Sequence, residues 1–183
     1  FIGENQELAS ISDFVSKIKA GQDAKLDKDF CIVARTEALV SGYGEAEALK
    51  RIDAYCKAGA DAILIHSKSE DGNDVLNIIN KYQYDCPIVI VPTKYYKVPT
   101  QKFVDAGVSA IIWANHTLRA SIISMKEVVS EIYKSQSLLN VENNIASLSE
   151  VFRLNGENEF RELEKKYLNF HFDESSINSK EIA

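Results

Sequence analysis

Four short stretches of this chain place chemistry-bearing side chains directly after apolar runs: Arg35-Thr36-Glu37, His66-Ser67-Lys68, Pro92-Thr93-Lys94 and Asn115-His116. Arg35 closes a run that is otherwise apolar, so its guanidinium is desolvated unless an anion or a carboxylate meets its fork of donors. The carboxylate two residues on, Glu37, is the structural alternative, a pair bracing the end of a strand. His66 follows Ile65 and opens a polar run; an imidazole with an ordinary pKa near ~6.5 can donate to an anion or carry a proton. Arg35 and His66 together make an oxyanion clamp, and these two are the catalytic candidates. Asn115 and His116 read better as the cap of the helix that follows. Lys94, Tyr95 and Tyr96 read equally well as a solvated rim, Asp71 and Asp74 as helix-start caps, and His171 carries no signal. No serine or cysteine has a partnered base, and no paired carboxylates form a metal motif.

The elements that must hold these residues are legible as a repeat. Phe30–Ala34, Ala62–His66, Pro87–Val91 and Ala110–Ala114 are nearly apolar throughout rather than alternating, as expected of strands covered on both faces in a parallel sheet. The intervening stretches have helical spacing: Glu45–Ala58 (Ala48, Leu49, Ile52, Tyr55), Asp74–Tyr82 (Val75, Ile78, Ile79, Tyr82), Thr100–Ala106 after Pro99, and Thr117–Lys134 (Leu118, Ile122, Met125, Val129, Ile132). KAGADAILIH (Lys57–His66) and DAGVSAIIWA (Asp105–Ala114) align without gaps, each a helix end, a capping glycine and a strand. Repeated β/α units form either a doubly wound sheet or a barrel. With no GxGxxG or GxxxxGK[ST] after a strand, the usual nucleotide-binding versions drop out and the barrel is preferred. In a barrel, chemistry sits at the C-terminal strand ends, where the four stretches lie.

Composition narrows the partners. The chain has 183 residues, 45% apolar and 26% charged, with 27 acidic against 21 basic side chains and a formal net charge of -6. That sign and the scatter of Lys and Arg argue against nucleic acid. No apolar run reaches the ~18–20 residues that span a bilayer, and a cytoplasmic location is expected. Three cysteines (Cys31, Cys56, Cys86) in no CxxC spacing read as reduced, mostly buried thiols. The chain opens at Phe1 and its only methionine is Met125, so it is expected to be a piece of a longer protein. Beyond Ser135 the pattern turns polar and helical, giving an expected division into 1–136, C-terminal helices over 137–168, and a loose tail over 169–183.

IVARTEAL (Ile32–Leu39), AGADAILIHSK (Ala58–Lys68), VIVPTKYYK (Val89–Lys97) and GVSAIIWANHTLRAS (Gly107–Ser121) resemble the phosphoenolpyruvate mutase family of the isocitrate lyase/phosphoenolpyruvate mutase superfamily. The likeness continues through QSLLNVENNIASLSEVFRL (Gln136–Leu154) and reaches Leu168. It implies an α/β fold, the second half of a (β/α)8 TIM-type barrel with about four parallel βα units and C-terminal helices. It implies an isomerase of phosphonate biosynthesis that interconverts phosphoenolpyruvate and phosphonopyruvate, with Arg35 on the phosphoryl group and His66 as the active-site histidine. Mg²⁺ is the implied cofactor, its ligands expected in an N-terminal half preceding Phe1, so that the isolated chain would be inactive. The implied partners are the small-molecule substrate and further copies of the chain, in a dimer or tetramer with swapped C-terminal helices; no nucleic acid or membrane is expected. Phosphonopyruvate hydrolase and a non-catalytic half-barrel are the alternatives.

Overall fold

A computed structural model describes residues 6–83 and 85–168. The chain divides into two compact units, Phe1–His116 and Thr117–Ala183. The expected tail over 169–183, with His171, lies outside the described residues.

The first unit alternates helix and strand: α1 (Ile11–Asp23), β1 (Val33–Thr36), α2 (Gly44–Lys57), β2 (Ala62–Ile65), α3 (Asn73–Lys81), β3 (Ile88–Ile90), α4 (Thr100–Asp105) and β4 (Ala110–Ile111). All strand pairings are parallel, in the order β1-β2-β3-β4. A doubly wound sheet reverses its strand order at a switch point; these four strands do not reverse, which is the winding of consecutive barrel units.

Register sorts the sheet into two faces. Ala34, Ile63 and Ile88 form one row and Thr36, Ile65, Ile90 and Ile111 another, on the side covered by the helices. Their neighbours in the core include Ile52 and Tyr55 of α2, Val75 and Ile78 of α3 and Phe103 of α4. Arg35, Leu64, Val89 and Ala110 form a row on the other face, which is less covered: Val33, Arg35 and Ala110 are exposed. Arg51 of α2 is buried, against the expected apolar stripe. Its guanidinium donates to Glu47 Oε1 (2.8 Å), the Ala9 carbonyl (2.9 Å) and Tyr55 Oη (3.2 Å), which satisfies the buried charge.

The internal repeat is structural. After α2, Gly59 N–H donates to the Cys56 carbonyl and Ala60 N–H to the Tyr55 carbonyl; after α4, Gly107 N–H donates to Val104 and Val108 N–H to Phe103. Both glycines have left-handed φ (96° and 97°), so both helices end in the same Schellman cap, turning the chain straight into a strand.

Two expectations change here. β1 begins at Val33, three residues later than the apolar run FCIVA suggests, and Phe30 and Cys31 are exposed. The reason is Asp61, which stands before β2 and takes the Ile32 N–H (2.7 Å), together with Lys25 Nζ (2.6 Å) and Gln22 Nε2 (2.9 Å). That clasp ties α1, a helix the periodicity reading passed over, to the base of the sheet. Cys56 and Cys86 are half-buried, so the thiols as a set are less buried than expected. Burial, with Cys56 beside it, pushes the Cys86 thiol up to about 12, which keeps it protonated and unreactive.

The backbone bond from Ile32, then Lys25 and Gln22, pull the Asp61 carboxyl down to about 2. A depressed carboxylate stabilises the fold above its unfolded pKa near ~4 and loses that contribution as pH falls through ~2. Asp61→Asn is expected to cost about 1–2 kcal/mol at pH 7, discounted for partial exposure, and to flatten the acid limb of stability against pH in chemical denaturation.

In the second unit, α5 (His116–Ser135) is followed by a 3₁₀ turn (Glu142–Asn144), α6 (Leu148–Leu154) and α7 (Glu157–Tyr167). Ser147 Oγ accepts the Glu150 N–H and caps α6. The apolar stripe read from the sequence lies on α5, and its Leu118, Ile122, Met125 and Val129 are all exposed. Periodicity locates an apolar face but does not supply its cover. No helix among the described residues is long and apolar enough to cross a membrane.

Candidate active site

Arg35 lies in β1 in register with Leu64 of β2. Two residues beyond Leu64, side-chain alternation carries His66 to the same face. The two are in electrostatic reach of one another. The His66 imidazole is held below its ordinary pKa, first by burial and then by the Arg35 charge, with Lys94 adding to the depression. Glu37 and hydrogen bonding at the Val91 backbone oppose that shift without reversing it. His66 is only 4% exposed, so it is a packed residue. The lowered pKa makes the ring neutral at pH 7.

Arg35 does form the pair with Glu37: its Nε donates to Glu37 Oε1. This bond uses one edge of the guanidinium. Among the described residues, no hydrogen bond or ion pair engages its two terminal nitrogens, and the side chain is 42% exposed. The brace and the clamp are therefore compatible, because Glu37 takes Nε and no bond among the described residues takes the two terminal nitrogens.

The other candidates separate. Lys94 and Tyr96 are exposed, as a rim would be, but Tyr95 is fully buried against Phe103, with ring centroids 5.4 Å apart. Asn115 precedes the first residue of α5, the place of a cap, and both it and His116 are exposed. Asp71 takes the Asn73 N–H (3.1 Å) and the Ser69 hydroxyl (2.6 Å), the capping role expected of it. Asp74 does more: besides the Val75 N–H, it accepts the hydroxyl of Ser67, the residue after His66. Sequence reasoning had no signal for that bond beyond a serine at a strand end and an aspartate at the next helix start.

Gly72 joins this loop to α3 at φ 64°, and a Cβ there would lie 3.3 Å from the Tyr95 Cβ and 3.4 Å from Phe103 Cζ. Both the left-handed backbone and the closeness of Tyr95 require glycine. Gly72→Ala is expected to destabilise the fold by about 1–2 kcal/mol, read as a lower denaturation midpoint with unchanged slope.

In a chain of net charge -6, the Arg35 and Lys94 charges both act on the His66 ring beyond the strand ends, with Glu37 opposing them. Comparisons with known proteins sharpen this. The family model described as phosphoenolpyruvate phosphomutase matches residues 2–133. The phosphoenolpyruvate phosphomutase of Tetrahymena pyriformis is 49% identical over 163 residues, covering 89% of this chain and 54% of the relative. The chain belongs to the phosphoenolpyruvate phosphomutase family. Among solved structures, the family's enzyme from Streptomyces platensis subsp. rosaceus superposes with a TM-score of 0.90 at 41% identity, over 92% of this chain and 59% of that one. A phosphonopyruvate hydrolase in complex with oxalate and Mg²⁺ superposes with a TM-score of 0.87 at 35% identity, over 92% and 60%. The chain thus spans about half the length of the phosphoenolpyruvate phosphomutase relatives it matches.

Proposed function

We propose that this chain supplies the phosphoryl-gripping side of a phosphoenolpyruvate phosphomutase, which interconverts phosphoenolpyruvate and phosphonopyruvate and so makes or breaks a C–P bond. The observation that carries the reading is the placement of Arg35 in β1 and His66 directly after the neighbouring β2, near enough for the Arg35 charge to act on the ring, in a chain 49% identical to such an enzyme. A phosphoryl group moving between oxygen and carbon passes through a loosely bonded, metaphosphate-like state that asks for positioned charge and donors more than covalent help. The terminal nitrogens of Arg35 offer a bidentate grip on two of its oxygens, and Glu37 keeps that fork from turning. The His66 ring, neutral at pH 7, bonds a third oxygen and orients the group between its two partners.

Mg²⁺ is the proposed cofactor, supported by its presence in the phosphonopyruvate hydrolase complex. Among the described residues no group of three or more His, Cys, Asp or Glu side chains is assembled to hold a metal ion. These residues therefore do not fit the metal by themselves. The unreversed parallel sheet with one open face supports its place as half of a (β/α)8 barrel, with residues 1–136 in the barrel and 137–168 in the C-terminal helices. Exposed Leu118, Ile122, Phe152, Phe160 and Leu163 support burial of α5–α7 against a second copy in a homo-oligomer.

Phosphonopyruvate hydrolase is the second reading, supported by that neighbour at 35% identity. Incubating the full-length protein with phosphonopyruvate and Mg²⁺ and following ³¹P NMR separates the two. Growth of the phosphoenolpyruvate resonance is the expected result. Release of inorganic phosphate with pyruvate would instead assign the hydrolase, and an unchanged spectrum would overturn both.

A further inference from the structure

The loop that follows β2 anchors His66 from behind. His66 faces the side of Arg35, while the next residue, Ser67, alternates to the helix side and is 1% exposed. There the Ser67 hydroxyl donates to Asp74 Oδ2 at 2.5 Å and accepts the Ser69 N–H at 3.0 Å, so both its donor and an acceptor site are used and its rotor is fixed. Asp74 stands in the first turn of α3, where the helix end favours a carboxylate, and its other oxygen takes the Val75 N–H (2.8 Å). Asp71, bonded to Ser69 Oγ and the Asn73 N–H and side chain, closes the rest of the loop. Tyr95, fully buried, packs against Gly72 within the same turn.

A hydroxyl–carboxylate pair with a buried serine and a half-buried aspartate costs some desolvation that two apolar side chains would avoid. What the pair adds is direction. We propose that Asp74 is a positioning residue that, through the Ser67 hydroxyl, fixes the turn carrying His66 and so aims the imidazole beside Arg35. The proposal deepens the reading of His66 given above and rests on it. An orienting bond one step behind a reacting side chain sets that side chain's geometry, and a misplacement of ~1 Å costs up to ~100-fold in rate.

The test uses the full-length protein and three variants: Asp74→Ala, Ser67→Ala and Asp74→Asn, the last retaining an oxygen able to accept from Ser67. Turnover of phosphonopyruvate gives kcat and KM separately, and ¹⁵N–¹H imidazole spectra across pH report the state of His66, whose charged neighbours are Arg35, Glu37 and Lys94. Asp74→Ala and Ser67→Ala are expected to lower kcat by about 10- to 100-fold with KM within about threefold, and to shift the His66 imidazole signals. Asp74→Asn is expected to recover most of the rate and the wild-type imidazole spectrum. A kcat within about twofold of wild type in both truncations, or losses of rate that follow a loss of folding with the His66 signals unmoved and no recovery in Asp74→Asn, would overturn the proposal. Should Asp74→Ala fail to fold, Ser67→Ala decides. If the wild-type protein does not turn over phosphonopyruvate, the functional reading fails, while the imidazole comparison still decides whether Asp74 positions His66.

Discussion

Arg35→Ala in the full-length protein is expected to lower kcat/KM for phosphonopyruvate by about 100- to 1000-fold, the range seen when one preorganised donor to a developing anion is removed. The expectation rests on how the guanidinium is used. Its Nε is taken by Glu37, and its terminal nitrogens have no partner among the described residues. Arg35 lies on the less covered face of the sheet, and its charge acts on His66. Folding should be little affected, because the side chain is exposed and an exposed ion pair contributes at most about 1 kcal/mol. Arg35→Lys should recover little, since a single ammonium cannot reproduce the fork. Glu37→Gln supplies the contrast: it loosens the orientation of the fork but leaves its charge, so its loss of rate should be smaller. If Arg35→Ala and Glu37→Gln both stayed within about threefold of wild type, the pair would be a brace and nothing more.

His66→Ala is expected to cost about 100-fold in kcat/KM, and in addition to lower stability. The second effect follows from the structure alone, because the ring is buried and its removal leaves a cavity at the end of β2. The pH dependence has a definite sign. The folded-state pKa of His66 lies below the unfolded value, mainly through burial and Arg35. Between the two values the unfolded chain holds the extra proton. His66 therefore contributes no penalty above ~6.5, and stability falls as pH drops below that value toward the folded pKa, with a limiting slope of about 1.4 kcal/mol per pH unit. His66→Gln, which cannot titrate, should remove that slope between pH 7.5 and 5.5 in chemical denaturation. An unchanged slope would mean that the ring titrates alike folded and unfolded.

What could be read from the sequence was local and periodic. The ungapped likeness of KAGADAILIH and DAGVSAIIWA reports two identical helix caps, because a Schellman cap is specified by a few neighbouring residues around Gly59 and Gly107. The α3 stripe of Val75, Ile78 and Ile79 is buried as its spacing requires. The strand-end rule points to Arg35 and His66, and the structure puts Arg35 in β1 and His66 directly after β2. The readings that missed depend on partners distant in the chain. The start of β1 is set by Asp61, nearly thirty residues on, which captures the Ile32 N–H. Tyr95 looks like a rim residue beside Lys94 and Tyr96, yet it is buried by Phe103 and the turn at Gly72. The bond from Ser67 to Asp74 joins two residues that each have an ordinary explanation where they stand. The uncovered stripe of α5 marks the limit of periodicity, which reports that a face is apolar but not what lies on it.

The central claim is that Arg35 and His66 hold the same phosphoryl group, and a double-mutant cycle on kcat/KM in the full-length protein tests it most directly. Arg35→Ala, His66→Ala and the double variant are compared with wild type on phosphonopyruvate. Two groups that act on one anion are coupled, so the double variant should lose little more than the worse single variant, a departure from additivity of about 1–3 kcal/mol. Losses that simply multiply would mean that the two side chains serve separate sites, and would contradict the account.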